Sequence, residues 1–283
     1  MDSVAQSTMP PTTPTWNLDH VFRHADGDIR WRQFGEQGPP IVLVHGTPYS
    51  SFLWRDIAPA LARTRRVIVF DHLGYGQSDK SEMQDLTLAA QARRFAALLS
   101  YLGVERPRVA ANDIGGAITL RALLVEGVRF SDMTLFDCVS GGQWEGGLFG
   151  QIRQNPEVFA QLPGYAHRAL VASHLRHATY AGFRPGVLDA YLAPWLGEAG
   201  QAAFYRQYRQ LSEADTDDYS SLLGDVDIPV RLLWGCDDRI LPPRHGEWLR
   251  DHIRHESMTW IENAGHLLQE DAPAQLLAVL EQA

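Results

Sequence analysis

Along most of the chain, short apolar runs alternate with stretches in which apolar residues recur every three or four positions. Residues 41–44 and 67–70 are almost wholly apolar and bounded by turn residues, the pattern of strands buried on both faces. Residues 21–24, the pair Asp26-Gly27 and residues 29–34 predict a β-hairpin, because Asp-Gly readily supplies the positive φ of a tight turn. Phe52, Leu53, Ile57 and Leu61 recur at helical spacing. Leu88, Phe95, Leu98, Leu99 and Leu102 give the next helix its apolar face, and Gly103 suits its C-terminal end. Strand 109–111, helix 116–124 and strand 133–136 continue the rhythm.

The rhythm breaks at residues 141–222, a block rich in Gly, aromatics and His with helical stretches but no clear buried strand. It resumes with strand 230–234, a helix at 247–253, strand 258–261 and a final helix from Pro273, a residue tolerated in a first helical turn. Such alternation implies an α/β fold with a mostly parallel sheet and helices on both faces. The core is expected at 18–140 and 223–283. Block 141–222 is expected as an inserted helical cap over the C-terminal edge of the sheet, where open α/β sheets bind ligands. Residues 1–17 read as a disordered tail, rich in Ser, Thr and Pro at the start and without the basic, then apolar character of a secretion signal.

Composition narrows the classes. The 283 residues suffice for one α/β domain with an insertion, and 45% hydrophobic with 21% charged residues is the make-up of a globular protein with a sizeable core. A net charge of -9 disfavours nucleic acid and anionic lipid as partners. No apolar run approaches the roughly 18 residues needed to span a bilayer. Two cysteines, Cys138 and Cys236, exclude a disulfide framework and read as small buried residues near strand ends. A cytoplasmic protein is expected, and a homo-oligomer is compatible with the reading.

Four segments fall at predicted strand ends, where side chains distant in sequence converge. Residues 108–117 run from an apolar strand through a tight bend into a helix, the setting that lifts one side chain out of the top of a sheet. That side chain is Asp113. A serine there indicates acyl transfer, whereas an aspartate indicates a carboxylate attacking saturated carbon. The second segment is His45-Gly46-Thr47-Pro48, in which Gly46 lets the backbone turn so that the next N–H can serve as an oxyanion donor. The third, Trp234-Gly235-Cys236-Asp237-Asp238-Arg239, places carboxylates just past a buried strand. The fourth is Asn263-Ala264-Gly265-His266. Alone each is ambiguous, since an Asp after a strand commonly caps a helix. Joined in the order nucleophile, acid, histidine, they point to chemistry by Asp113 and His266.

From about residue 18 to residue 283 the chain resembles the α/β-hydrolase superfamily. Asn112-Asp113-Ile114-Gly115-Gly116 resembles its aspartate-nucleophile branch, which includes epoxide hydrolases and haloalkane dehalogenases. His45-Gly46-Thr47-Pro48 and Asp71-His72-Leu73-Gly74-Tyr75-Gly76-Gln77-Ser78 match motifs shared widely in the superfamily, with Asp71 read as tying down its own loop. The resemblance implies that Asp113 forms an alkyl ester and that His266 activates the water that cleaves it. It also implies an oxyanion site at the backbone N–H groups of Thr47 and Ile114. Asp238, three residues after Gly235, is the expected orienting acid. Asp137 is the alternative, standing where some dehalogenases keep theirs. No cofactor or metal is implied, and the expected partner is a small, apolar substrate.

Leaving-group chemistry separates the two activities. A departing halide wants N–H donors, which dehalogenases commonly draw from a Trp after the nucleophile and an Asn after the His-Gly pair. Ile114 and Thr47 stand in those places. Fluoroacetate dehalogenases clamp a carboxylate with arginines after the nucleophile, where this chain has Ile114-Gly115-Gly116-Ala117. An epoxide oxygen wants a protic donor from the cap. Ala203-Phe204-Tyr205-Arg206 resembles the segment that carries such a tyrosine, which makes Tyr205 the first candidate and Tyr208 its substitute. Tyr165 and His167 are candidates for the second donor, with His177 a looser one. Epoxide hydrolysis is therefore the leading expectation and haloalkane dehalogenation with an atypical halide site the alternative. A non-catalytic binding protein on the same frame is the reading of another class, disfavoured because every triad residue type is kept.

Overall fold

A computed structural model describes residues 15–142, 144 and 147–282. The expected tail lies outside these residues as far as residue 14. Trp16, placed in that tail from sequence, instead donates its indole N–H to Ser51 Oγ at 2.9 Å and stacks on Phe34. The packed chain therefore begins at least two residues before the expected core boundary.

Eight strands form one sheet: β1 (His20–His24), β2 (Gly27–Phe34), β3 (Pro40–Val44), β4 (Arg66–Phe70), β5 (Arg108–Asp113), β6 (Met133–Cys138), β7 (Val230–Gly235) and β8 (Ser257–Ile261). Their order across the sheet is β1-β2-β4-β3-β5-β6-β7-β8. The first two pairings are antiparallel and all from β3 onward are parallel. Residues of β5 and β6 are buried throughout, the polar residues at their ends included. The β1–β2 turn is Ala25-Asp26, one residue earlier than the sequence indicates. Gly27 opens β2 at φ 138° and pairs with His24.

Twelve α-helices connect the strands among the described residues: α1 (Ala58–Leu61), α2 (Leu88–Tyr101), α3 (Ile114–Leu124), α4 (Gly147–Gln154), α5 (Pro156–Ala160), α6 (Gly164–His177), α7 (Val187–Leu192), α8 (Gly197–Gln210), α9 (Ala214–Ser220), α10 (Arg244–His252), α11 (Leu268–Asp271) and α12 (Pro273–Gln282). Helices α4 to α9 form the insertion between β6 and β7. Chain order reverses at β3: the chain passes from β3 to β4 on one side and returns to β5 on the other. Right-handed crossovers in opposite directions put α1 and α3 on opposite faces. The reversal also brings the C-terminal ends of β3 and β5 side by side, with Val44 paired to Ala111. That crevice is where an open α/β sheet takes its ligand.

One expected helix is broken. Residues 51–54 are a 3-10 turn, and α1 is only four residues long. Asp71 ties this turn to the following loop: its Oδ1 accepts from the Ser51 N–H at 2.7 Å and its Oδ2 from the Gln77 N–H at 2.6 Å. One carboxylate thus fixes two loops at the top of the sheet.

Candidate active site

Asp113 ends β5 at φ 52° and ψ -135°, a backbone region that L residues enter only where their surroundings enforce it. The enforcement is steric. A methyl group on Gly46 would lie 2.2 Å from the Asp113 Cβ, and one on Gly116 would lie 2.5 Å from the Cys138 Cβ. Glycine at these two points lets the β3 loop and the start of α3 close around the Asp113 side chain. The Thr47 N–H then donates to Asp113 Oδ1 at 2.7 Å. Ile114 is the first residue of α3, so its N–H has no partner within the helix, and it lines the same cavity as Asp113.

The other carboxylate oxygen meets the histidine. His266 Nε2 lies 3.1 Å from Asp113 Oδ2, and His266 Nδ1 lies 2.9 Å from Asp238 Oδ2. Asp238 Oδ1 accepts from the Ile240 and Leu241 N–H groups at 2.8 and 2.9 Å, which fixes the carboxylate without engaging the oxygen that faces the ring. Burial alone drives the imidazole of His266 down, but the Asp238 carboxylate and the hydrogen bonds to Asp113 and Asp238 outweigh it. They hold the ring well above the usual histidine range. The raised ring favours the imidazolium, which would donate to a carboxylate on each side.

Asp137 behaves differently. Its Oδ1 accepts from the Gly235 N–H at 2.8 Å, its Oδ2 is buried without a partner, and it makes no hydrogen bond to His266 among the described contacts. Burial, reinforced by the Asp238 charge, pushes its carboxyl well above the usual range. Of the two acids considered from sequence, Asp238 is the one the fold sets against the imidazole.

Above Asp113 lies a cavity of about 180 Å³, lined by Thr47 and Ile114 of the core and by Phe149, His174 and Tyr208 of the insertion. The cap candidates divide here. Tyr208 lines the cavity, with its hydroxyl 3.4 Å from His174 Nε2. Tyr205, the first candidate from sequence, does not reach it. Its hydroxyl pairs with His167 Nδ1 at 2.9 Å while His167 Nε2 donates to the Trp195 carbonyl at 2.8 Å, so Tyr205 and His167 satisfy each other inside the insertion. Tyr165 is 80% exposed on α6 and points away. These three are corrections: Tyr165 stands on the exposed face of α6, whereas His167 and Tyr205 form a pair farther along the α6–α8 contact than the His174 and Tyr208 pair that reaches the cavity.

His174 escaped the sequence reading altogether, although His177, considered there, lines the cavity as well. Burial, then the facing His266 charge, brings its ring down to about 4, so it is neutral at pH 7. Burial likewise raises the Tyr208 phenol well above its ordinary value, which keeps it protonated. Thr47 contributes its side chain too, donating from Oγ1 to Gln207 Oε1 at 2.6 Å and so joining the oxyanion loop to α8.

Comparison with known proteins agrees with this architecture. Residues 39–273 match the model of the alpha/beta hydrolase fold family. An alpha/beta hydrolase fold protein from Burkholderia ambifaria superposes with a TM-score of 0.92 at 42% identity, covering 96% of this chain and all of that one. Haloalkane dehalogenase 2 of Mycobacterium tuberculosis is 27% identical over 277 residues, 92% of each protein. Haloalkane dehalogenase DatA from Agrobacterium tumefaciens, at 22% identity and a TM-score of 0.78 over 93% of this chain and 94% of that one, shares the fold. The chain belongs to the α/β-hydrolase fold family.

Proposed function

We propose that this hydrolase uses Asp113 to attack an electrophilic saturated carbon, and that an epoxide opened to a diol is the reaction best suited to the site. One observation carries the reading. Asp113 is held with one oxygen on the Thr47 N–H and the other facing His266, inside a cavity whose protic groups include the neutral side chains of Tyr208 and His174. Indole N–H groups nearby are already committed, that of Trp144 to Thr216 Oγ1 at 3.2 Å and that of Trp195 to the Pro48 carbonyl at 2.7 Å. An alkoxide is thus better served than a halide.

In the first step Asp113 Oδ2 bonds to carbon, the ring C–O bond breaks, and the ring oxygen takes a proton from Tyr208. Alkylation removes the Asp113 charge, one of the influences that hold the proton on His266. The ring can then hand that proton on to restore the Tyr208 phenol and, now neutral, deprotonate a water. That water attacks the ester carbonyl carbon, whose developing oxyanion rests on the Thr47 and Ile114 N–H groups. Collapse expels the product oxygen, which takes the second water proton, and returns Asp113 as a carboxylate with the first water proton left on His266. Asp238 orients the imidazole throughout.

The haloalkane dehalogenase among the relatives supports a second reading, halide displacement by the same aspartate. Panels of small epoxides and haloalkanes separate the two through diol formation against halide release. A single turnover in heavy-oxygen water then tests the shared step. Label is expected in the Asp113 carboxylate, with unlabelled oxygen in the first product. An active sample that leaves Asp113 unlabelled disproves the ester.

A further inference from the structure

Asp137 is a buried acid that the reaction outlined above does not use, yet the backbone is bent to place it. Between β5 and β6 the register runs Asn112 to Phe136 and then Asp113 to Cys138, which leaves Asp137 as the extra residue of a bulge at φ 41°. A bulge beside an active site re-aims a side chain. Here the side chain turns to β7, where its Oδ1 accepts from the Gly235 N–H at 2.8 Å. The carbonyl of the same Gly235 accepts from the Asp238 N–H at 3.2 Å, so both aspartates are moored to one residue.

Charge and hydrogen-bond count constrain what Asp137 can be. It is wholly buried, and no Lys or Arg meets it among the described residues. The groups that bear on it are Asp238 of the loop after β7 and His266 of the loop after β8. Asp113, Asp238 and a protonated His266 together carry one net negative charge, and ionising Asp137 would make it two in a buried space. A carboxyl so placed keeps its proton, as its burial and the Asp238 charge dictate. Because Oδ1 is taken up by Gly235, the proton belongs on Oδ2, the oxygen without a partner.

Asp238 offers the matching acceptor. An ionised carboxylate accepts about four hydrogen bonds, shared evenly by its oxygens. Asp238 Oδ1 already accepts from the Ile240 and Leu241 N–H groups, whereas Oδ2 accepts from His266 Nδ1 alone. The remaining lone pair is thus on the oxygen that holds the imidazole.

We propose that Asp137 is a neutral carboxylic acid and a positioning residue, whose Oδ2–H donates to Asp238 Oδ2 so that Asp137 and His266 share one carboxylate oxygen. Sharing weakens the pull of Asp238 on the imidazole and eases release of its proton once Asp113 is alkylated. Only this last consequence rests on the reading of Asp113 as the nucleophile.

Infrared spectra of the full-length protein at about pH 8, where exposed carboxyls are ionised, should contain a carboxylic-acid C=O band that shifts in deuterium oxide. The band should be lost in Asp137→Asn, whose amide keeps an acceptor for Gly235 and a donor for Asp238. Proton NMR reads the effect on the histidine through the downfield resonance of its Nδ1–H, identified by its loss in His266→Gln. That resonance should hold its position in Asp137→Asn. It should move further downfield in Asp137→Leu, or in Asp137→Ala where the larger side chain does not fold, because Asp238 is then left to the imidazole alone. A wild-type protein without the band, a band that survives Asp137→Asn, or a ring resonance that fails to distinguish Asn from the apolar variant would each overturn the proposal. Neither measurement involves turnover. An Asp113 that stays unlabelled in heavy-oxygen water therefore counts against the ester chemistry and leaves this result standing.

Discussion

At the scale of single residues, the site is an arrangement of charge. His266 lies between Asp238 and Asp113, and the two carboxylates hold on its ring a proton that burial would remove. The sign of the linked stability follows. A histidine whose folded value is raised above the unfolded one, about 6.5, adds stability that is fully present below that pH. The stability is lost as pH rises through the folded value. Asp238→Asn removes a large part of what raises the ring, so the variant should be less stable than the wild type by most on the acid side. That gap should narrow as pH increases. Urea midpoints across the range give the measure, and a gap that stays constant or widens with pH contradicts the assignment of the ring as a resting imidazolium.

At the scale of elements, position along the helix axis decides which side chains reach Asp113. Tyr205 and Tyr208 are three positions apart on α8, yet one faces His167 and the other the cavity. Tyr208→Phe is therefore expected to slow epoxide opening by about 100- to 10,000-fold through kcat, the range lost with a general acid. Tyr205→Phe should instead lower stability by about 1 kcal/mol, the worth of a buried hydrogen bond, with kcat changed less than threefold. The reverse pattern would restore Tyr205 as the donor. Strands β3 to β7 were legible in the sequence because burial on both faces leaves nearly unbroken apolar runs. So were Asp113, Asp238 and His266, because each stands at a predicted strand end. The α8 donor was not, because two tyrosines on one amphipathic helix carry no mark of which one reaches the cavity. His174 was also hidden, although His167 and His174 lie seven residues apart, close to two helical turns, so the histidines of α6 were the available signal. Residues 51–61 look like one helix by spacing but form a 3-10 turn and a separate four-residue helix.

At the scale of the whole molecule, the insertion is stitched to the core at two places that frame the site. Arg55 of the core holds Glu270 of α11 in a bidentate pair, and Tyr191 of α7 donates to the same carboxylate. The second stitch runs through the histidine's own backbone. The His266 N–H donates to the Ala178 carbonyl at 2.8 Å, just past the end of α6. Asp271 gathers the N–H groups of Tyr180, Ala181 and Gly265 at 2.7, 3.1 and 2.9 Å. The C-terminal end of α6 and the loop bearing the proposed base are consequently one mechanical piece. Any breathing of the insertion that parted α6 from the core would carry the imidazole off Asp113 and stop the reaction while the site stood open. Admission of substrate without such an interruption must come from the α4 side, with the α6 end acting as the fixed post. Amide hydrogen exchange reads this directly: the N–H groups of Tyr180, Ala181, Gly265 and His266 should open together, at a common and slow rate, while those of α4 exchange sooner.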